Sequence, residues 1–178
     1  MEPHLRAIAE HIAGIERGFA DTGRRLQATI GTIVGDEGRE ERKGTMKQAR
    51  RTHASPATRR TFAEIFIRQA YEGAGTAPPD PLPDALVARV LRGAAAAIEF
   101  EALIWDKLAF DGANPEAPDI RNVRWDQRIA FNIGWSMRDQ PLWLVTDDGA
   151  FAKVAKAVGH EDRVRTLAGY ERWLGIGA

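Results

Sequence analysis

Two adjacent carboxylates follow an apolar run in the last third of the chain. The run 141–146, PLWLVT, leads into Asp147 and Asp148 and then into a turn glycine, Gly149. Two explanations are open. Either the strand ends here and the acids cap the next helix, or the acids bind a metal ion at the carboxyl end of a buried strand. Mg²⁺ and Mn²⁺ prefer oxygen ligands, and one or two carboxylates with water and substrate phosphate make a usual site.

Length and composition limit the classes of function. The chain has 178 residues, enough for one domain with a real core. Its 25 basic and 25 acidic residues cancel, so any nucleic-acid role must rest on a local patch. The absence of cysteine excludes disulfides and thiolate metal sites, and four widely spaced histidines disfavour a zinc site. Neither a signal peptide nor a membrane span is indicated, so we expect a soluble, cytoplasmic protein without a membrane partner.

The N-terminal segment has the apolar spacing of helices. A stripe with steps of three and four residues is formed by Leu5, Ile8, Ile12, Ile15 and Phe19. Asp21, Thr22 and Gly23 interrupt it before a second stripe begins, so the sequence predicts a helical hairpin over 1–35. The β-branched residues of 28–34 leave an alternative open, a first strand at 28–36 that ends at Asp36.

Residues 39–60 have a local excess of positive charge, because they contain eight Lys and Arg residues and only two Glu. This segment is either a solvated face or an electrostatic footprint for a phosphate backbone. On the second interpretation the candidate RNA-binding residues are Lys47, Arg50, Arg51, Arg59 and Arg60.

The order of elements from 55 onward predicts an α/β fold. Ser55 and Pro56 open a helix, a Pro/Gly loop spans 73–83, and a helix over 83–110 relaxes at Gly93. Beyond a second loop we expect, in order, a helix over 125–138, a strand over 141–146, a helix over 151–158, a strand over 163–167 and a terminal helix over 169–175. This alternation is typical of parallel strands, whose carboxyl ends collect ligands and metals. The topology therefore favours the metal interpretation of the acid pair.

The C-terminal half also resembles a PIN domain, a family of metal-dependent ribonucleases that includes bacterial toxins. In that family an Asp opens a helix with Ile-Ala three residues on, and a later strand ends in Thr-x-Asp with an aromatic residue beyond. The matching residues here are Asp126, Ile129, Ala130, Thr146, Asp148 and Phe151, and the end of the chain, RVRTLAGYERWL, resembles the family's last strand and helix. The resemblance implies that Asp148 faces the metal and that Asp147 is the variable residue.

Upstream, the stretch HASPATRRTFAEIF resembles the second helix of the same family. The family's Glu falls near Thr61, and Glu64 is the nearest acid. The family's first acid would be Asp36 if 28–36 is a strand. The resemblance thus implies a helix-rich, three-layer α/β/α fold with a parallel sheet over 36–178, in one compact domain overall with the N-terminal hairpin.

The activity implied by the resemblance is endonucleolytic hydrolysis of RNA with Mg²⁺ or Mn²⁺, by the toxin of a toxin–antitoxin pair. The metal ligands would be Asp126, Asp148, Glu64 and Asp36, with Thr146 holding a carboxylate or a water. The antitoxin would be the protein partner.

Two other classes of function stay open. One is a non-catalytic PIN-like interaction protein with an incomplete acidic site, which forms a homodimer through its N-terminal helices. The other is a winged-helix DNA-binding regulator that reads the major groove through 55–72 with Thr58, Arg59 and Arg60. The tryptophans are expected in the core.

Overall fold

The computed structural model describes residues 2–34 and 39–176. Most of this part of the chain is helical, and its strands are short, so the fold is broadly α/β and helix-rich as predicted. None of the helices in these residues combines the length and the apolar character needed to cross a membrane.

The first helix, α1, runs unbroken over Glu2–Val34, so the predicted hairpin is wrong. The residues expected to form its turn are accommodated inside the helix. The Thr22 hydroxyl donates to the Gly18 carbonyl over 2.9 Å. A Cβ atom at Gly23 would lie 2.7 Å from the Pro115 Cβ, so this glycine serves a close approach between two segments.

The alternative first strand is also wrong where the structure describes it, because 28–34 belongs to α1. Intrinsic preference for strands is weak and yields to the continuity of a long helix. Asp36 lies outside the described residues.

Of the next two helices, the second begins and ends as its sequence signals predict. Helix α2 spans Arg39–His53 and α3 spans Pro56–Gly73. Ser55 caps α3 as predicted, because its hydroxyl accepts the Thr58 N–H over 3.3 Å. The loop predicted at 73–83 follows.

The predicted break at Gly93 is confirmed, and this glycine packs closely against a tryptophan. Helix α4 spans Asp84–Gly93 and α5 spans Ala95–Ala109. A Cβ atom at Gly93 would lie 2.6 Å from the Trp135 ring, so the glycine makes room for the indole where the two helices meet.

Helix α6 spans Pro118–Ala130, not 125–138 as predicted. Proline suits the first turn of a helix, and Asp119 in the same turn complements the positive end of the helix dipole. After α6 the chain reaches Gly134, whose φ of 95° is a conformation that side chains disfavour.

Short strands occupy the next segment. Strands β1 (Ser136–Met137) and β2 (Gln140–Pro141) pair in antiparallel fashion around two residues with positive φ. Strands β3 (Leu144–Val145) and β4 (Val164–Arg165) pair in parallel, which confirms that prediction. Both described sheets have two strands, so the strand predicted over 141–146 is much shorter than expected.

The predicted helices on either side of β4 are confirmed within two residues. Helix α7 spans Gly149–Ala157 and crosses over between β3 and β4. Helix α8 spans Leu167–Leu174 and follows β4 directly.

The chain divides into two compact units. Unit 1 comprises Met1–His53 and Leu103–Arg124, with a cluster of buried residues formed by Ile104, Leu108 and Ile120. Unit 2 comprises Ala54–Ala102 and Trp125–Ala178, and its buried side chains include Phe100 and Phe151, whose ring centroids are 5.1 Å apart.

Candidate functional site

Asp148 lies just beyond β3 in unit 2 and caps α7. Its Oδ1 accepts the Ala150 N–H over 2.8 Å, which confirms the capping explanation for this acid. Its own backbone N–H donates to the Thr146 hydroxyl oxygen over 3.1 Å. The Thr146 N–H in turn donates to the Arg165 carbonyl of β4 over 2.9 Å. A carboxylate can accept about four hydrogen bonds, so the cap leaves acceptor capacity on Asp148.

Asp147, unlike Asp148, makes its hydrogen bond to the start of α8. Its Oδ1 accepts the backbone N–H of Leu167, the first residue of α8, over 3.2 Å. That N–H is one of the donors left unpaired by the helix itself. The two acids thus accept backbone N–H groups from different helices, Asp148 from α7 and Asp147 from α8. Asp147 therefore stabilises the start of α8.

Asp126 is the carboxylate that approaches Asp148. Burial raises the pKa of Asp126 above its ordinary value, and the negative charge of Asp148 raises it further. Asp126 does not open a helix, as the family pattern requires, because it lies in the last two turns of α6. The structure thus brings together Asp126, Asp148 and, through its hydroxyl, Thr146.

The other two predicted ligands do not join this pair in the described residues. Glu64 accepts a hydrogen bond from the Arg60 Nε over 2.9 Å, and Arg60 also donates to Asp84 over 2.6 Å. Residues 2–34 and 39–176 contain no group of three or more acidic, histidine or cysteine side chains able to hold a metal ion. Asp36 lies outside these ranges.

Several of the predicted RNA-binding residues make ion pairs with other residues of the protein. Arg59 makes a two-pronged ion pair with Glu99, at 2.6 Å and 2.9 Å. Thr58 contacts the Ser55 hydroxyl at 3.2 Å. With Arg60 also paired, the three side chains expected to enter a DNA groove in the winged-helix alternative have contacts within unit 2.

The remaining basic candidates lie on α2. Arg50 pairs with Asp111 and lies 5.3 Å from the centre of the Phe110 ring. Lys47 and Arg51 are exposed and make no ion pair with any described residue. These two are the candidates with a guanidinium or ammonium group available for a phosphate.

An aromatic cluster at the end of unit 2 was missed by the sequence analysis. The Trp143 and Trp173 ring centroids are 4.8 Å apart, and those of Tyr170 and Trp173 are 5.7 Å apart. Trp173 is 55% exposed, so its expected place in the core is wrong. The spacing of Tyr170 and Trp173, three residues apart on a predicted helix, was the available signal that both rings share a face.

Comparison with protein-family models, with curated proteins and with solved structures gives no significant match. The resemblance to PIN domains therefore rests on the residues named above and stays a prediction.

Proposed function

We propose that this chain is a metal-dependent endoribonuclease that hydrolyses RNA phosphodiesters at Asp126 and Asp148. In this proposal it is a divergent member of the PIN-like, three-layer α/β/α class, acting in the cytoplasm as the toxin of a toxin–antitoxin pair. The observation that carries the proposal is the approach of two carboxylates beyond the carboxyl end of β3, a strand with a parallel neighbour. Ligands and metals gather at such strand ends.

The residues present fit a hard divalent cation. Two neighbouring carboxylates repel each other, and a cation between them relieves that repulsion. Mg²⁺ or Mn²⁺ would be held by carboxylate oxygens of Asp126 and Asp148. When bound, such an ion lowers the pKa of a coordinated water and neutralises charge that develops on a phosphodiester.

The chain itself supplies the orientation of the site. The Thr146 hydroxyl and the first turn of α7 fix the backbone and one carboxylate oxygen of Asp148. The half-buried position of Asp126 keeps its carboxyl next to this fixed group. Exposed Lys47 and Arg51 would bind RNA phosphates without regard to sequence, and this affinity would fall with salt.

A cleavage assay with matched variants tests the proposal. RNA is incubated with Mg²⁺ or Mn²⁺ and the wild type, Asp126→Asn, Asp148→Asn or Asp147→Asn. We expect the first two variants to lose activity, while Asp147→Asn, which removes a neighbouring charge but keeps an oxygen for the Leu167 N–H, stays active. Asparagine also caps helices well, so Asp148→Asn keeps α7. Unchanged cleavage by Asp148→Asn would refute the proposal.

A second candidate function is a non-catalytic protein that self-associates through α1. The observation that favours it is the exposure of two apolar side chains on that helix, Ile8 at 45% and Ile12 at 39%. Sedimentation of the wild type beside an Ile8→Ser, Ile12→Ser double variant tests this function. A dimer that the double variant loses, in a protein that binds no Mn²⁺, would favour it over the nuclease.

A further inference from the structure

The aromatic cluster of Trp143, Tyr170 and Trp173, called here the aromatic platform, is unlike a core. Buried aromatic residues normally contribute most of their surface to packing. Trp173 instead keeps 55% of its surface exposed while its ring already packs on Trp143 and stacks on Tyr170 at an interplanar angle of 24°. The platform thus holds an indole that keeps more than half of its surface exposed.

A cation lies beside this exposed ring. The Arg165 guanidinium carbon is 4.0 Å from the centre of the Trp143 ring and 5.4 Å from that of Trp173, within cation–π distance of both. Arg165 makes no ion pair with any acid among the described residues. Its Nε is buried without a hydrogen-bond partner, so the rings orient the guanidinium. Its positive charge is therefore not neutralised by an acid.

The platform and Asp148 are both connected to the strand pair β3 and β4. Arg165 of β4 pairs with Val145 of β3 in the parallel register. Side chains alternate along a strand, which accounts for Trp143, two residues before Val145, meeting Arg165 on one face. Thr146, whose hydroxyl accepts the Asp148 N–H, donates its own backbone N–H to the Arg165 carbonyl. The stacking surface and Asp148 are thus connected through the backbone of β3 and β4.

We propose that the aromatic platform is an RNA-binding site in which Trp173 stacks on unpaired bases of single-stranded segments. This inference rests on the proposed function for the identity of the ligand. An exposed ring with an adjacent cation is the combination that binds single strands: the ring takes a base, and the cation takes the backbone phosphate. A duplex keeps its bases stacked inside and offers none to Trp173.

A protein partner is the competing occupant, because α8 also exposes Leu167 and Leu174. The observations favour RNA, since an apolar protein surface would bury the Arg165 charge without an acid to pair with it.

The experiment measures RNA affinity in the Asp148→Asn background, in chelator, so that cleavage does not interfere. The probes are a short oligo-adenosine strand and an RNA duplex of equal length. Trp173→Ala is expected to weaken binding of the single strand about ten-fold, as loss of one stacked base does, and to leave duplex binding unchanged. Trp173→Phe is expected to recover most of the affinity. Met137→Ala, which truncates a side chain that is 65% exposed on β1, is the control and should bind as its parent does.

The outcomes distinguish this inference from the proposed function. Unchanged single-strand affinity in a folded Trp173→Ala protein, verified by its melting temperature, overturns the inference. So does an equal loss for both probes, or a Trp173→Ala variant that changes only the oligomeric state in sedimentation. If stacking depends on Trp173 but the wild type cleaves nothing in Mn²⁺, the inference stands and the nuclease proposal fails.

Discussion

Asp126, in the last two turns of α6, lies near Asp148, the cap of α7: burial raises the pKa of Asp126, and the charge of Asp148 raises it further. Each acid alone has an ordinary structural explanation, a helix position or a cap. Together, with Asp126 half-buried and Asp148 exposed beside it, their like charges repel unless a proton or a cation reduces the repulsion. This relationship separates a candidate site from two unconnected acids.

The first prediction concerns the stability of the metal-free protein. Folded Asp126 keeps its proton to higher pH than the unfolded chain, where its pKa has the ordinary value of 3.8. The folded state therefore binds more protons just above pH 3.8, and stability falls as the pH rises through the raised folded-state pKa. Asp126→Asn removes this penalty, so in chelator the variant should have the larger free energy of unfolding at pH 7.

Urea denaturation at pH 7 and at a pH below 3.8 measures this effect. The difference between variant and wild type should shrink at the lower pH, where Asp126 is protonated in both states. A wild type that is the more stable protein at pH 7 would show that Asp126 has a stabilising partner and does not experience net repulsion.

The second prediction concerns Thr146, an uncharged residue whose hydroxyl oxygen accepts the backbone N–H of Asp148. Thr146→Val removes the oxygen that accepts the Asp148 N–H and keeps the size of the side chain. Loss of such a supporting contact lowers metal affinity by about ten-fold or more. Calorimetric titration with Mn²⁺ should show this loss, while Thr166→Val, which alters the cap of α8 instead, should bind Mn²⁺ as the wild type does. Equal affinities in all three proteins would remove Thr146 from the site.

The third prediction tests a feature that the sequence alone identified. Ser55 accepts the Thr58 N–H at the start of α3, and loss of such a cap costs about 1 kcal/mol. Ser55→Ala should lower the free energy of unfolding by that amount, and Ser55→Asp should restore it. Ser136→Ala, at an exposed strand position, is the control. A Ser55→Ala protein as stable as the wild type would mean that solvent replaces the cap.

Local signals of this kind predicted much of the fold. The cap at Ser55, the break at Gly93 and the parallel pairing of β3 with β4 each follow from residues within one or two turns or strands. The errors arose where distant packing decided the outcome. Gly23 was interpreted as an interruption of the helix. It instead allows Pro115, far away in the sequence, to pack closely against the helix backbone.

In the candidate site, too, local signals predicted some features and distant packing decided others. Asp148 was predicted from the strand and turn around it, and it lies there. Asp126 lies near Asp148 although it belongs to α6 and Asp148 caps α7. This proximity depends on tertiary packing, which local sequence patterns do not determine. The exposure of Trp173 likewise depends on which face of α8 the rest of unit 2 covers.

The last prediction tests the close packing of Trp135 against Gly93, where α4 ends. A methyl group at Gly93 would meet the Trp135 ring at 2.6 Å, and overpacking of this kind costs about 1–3 kcal/mol. Gly93→Ala should lower the free energy of unfolding accordingly, while Gly73→Ala, where a Cβ atom meets nothing within 4 Å, should not. If the indole is the cause, Trp135→Leu should make the Gly93→Ala change much less costly, which a double-mutant cycle in urea measures. Additive losses would instead assign the cost to the backbone of Gly93 itself.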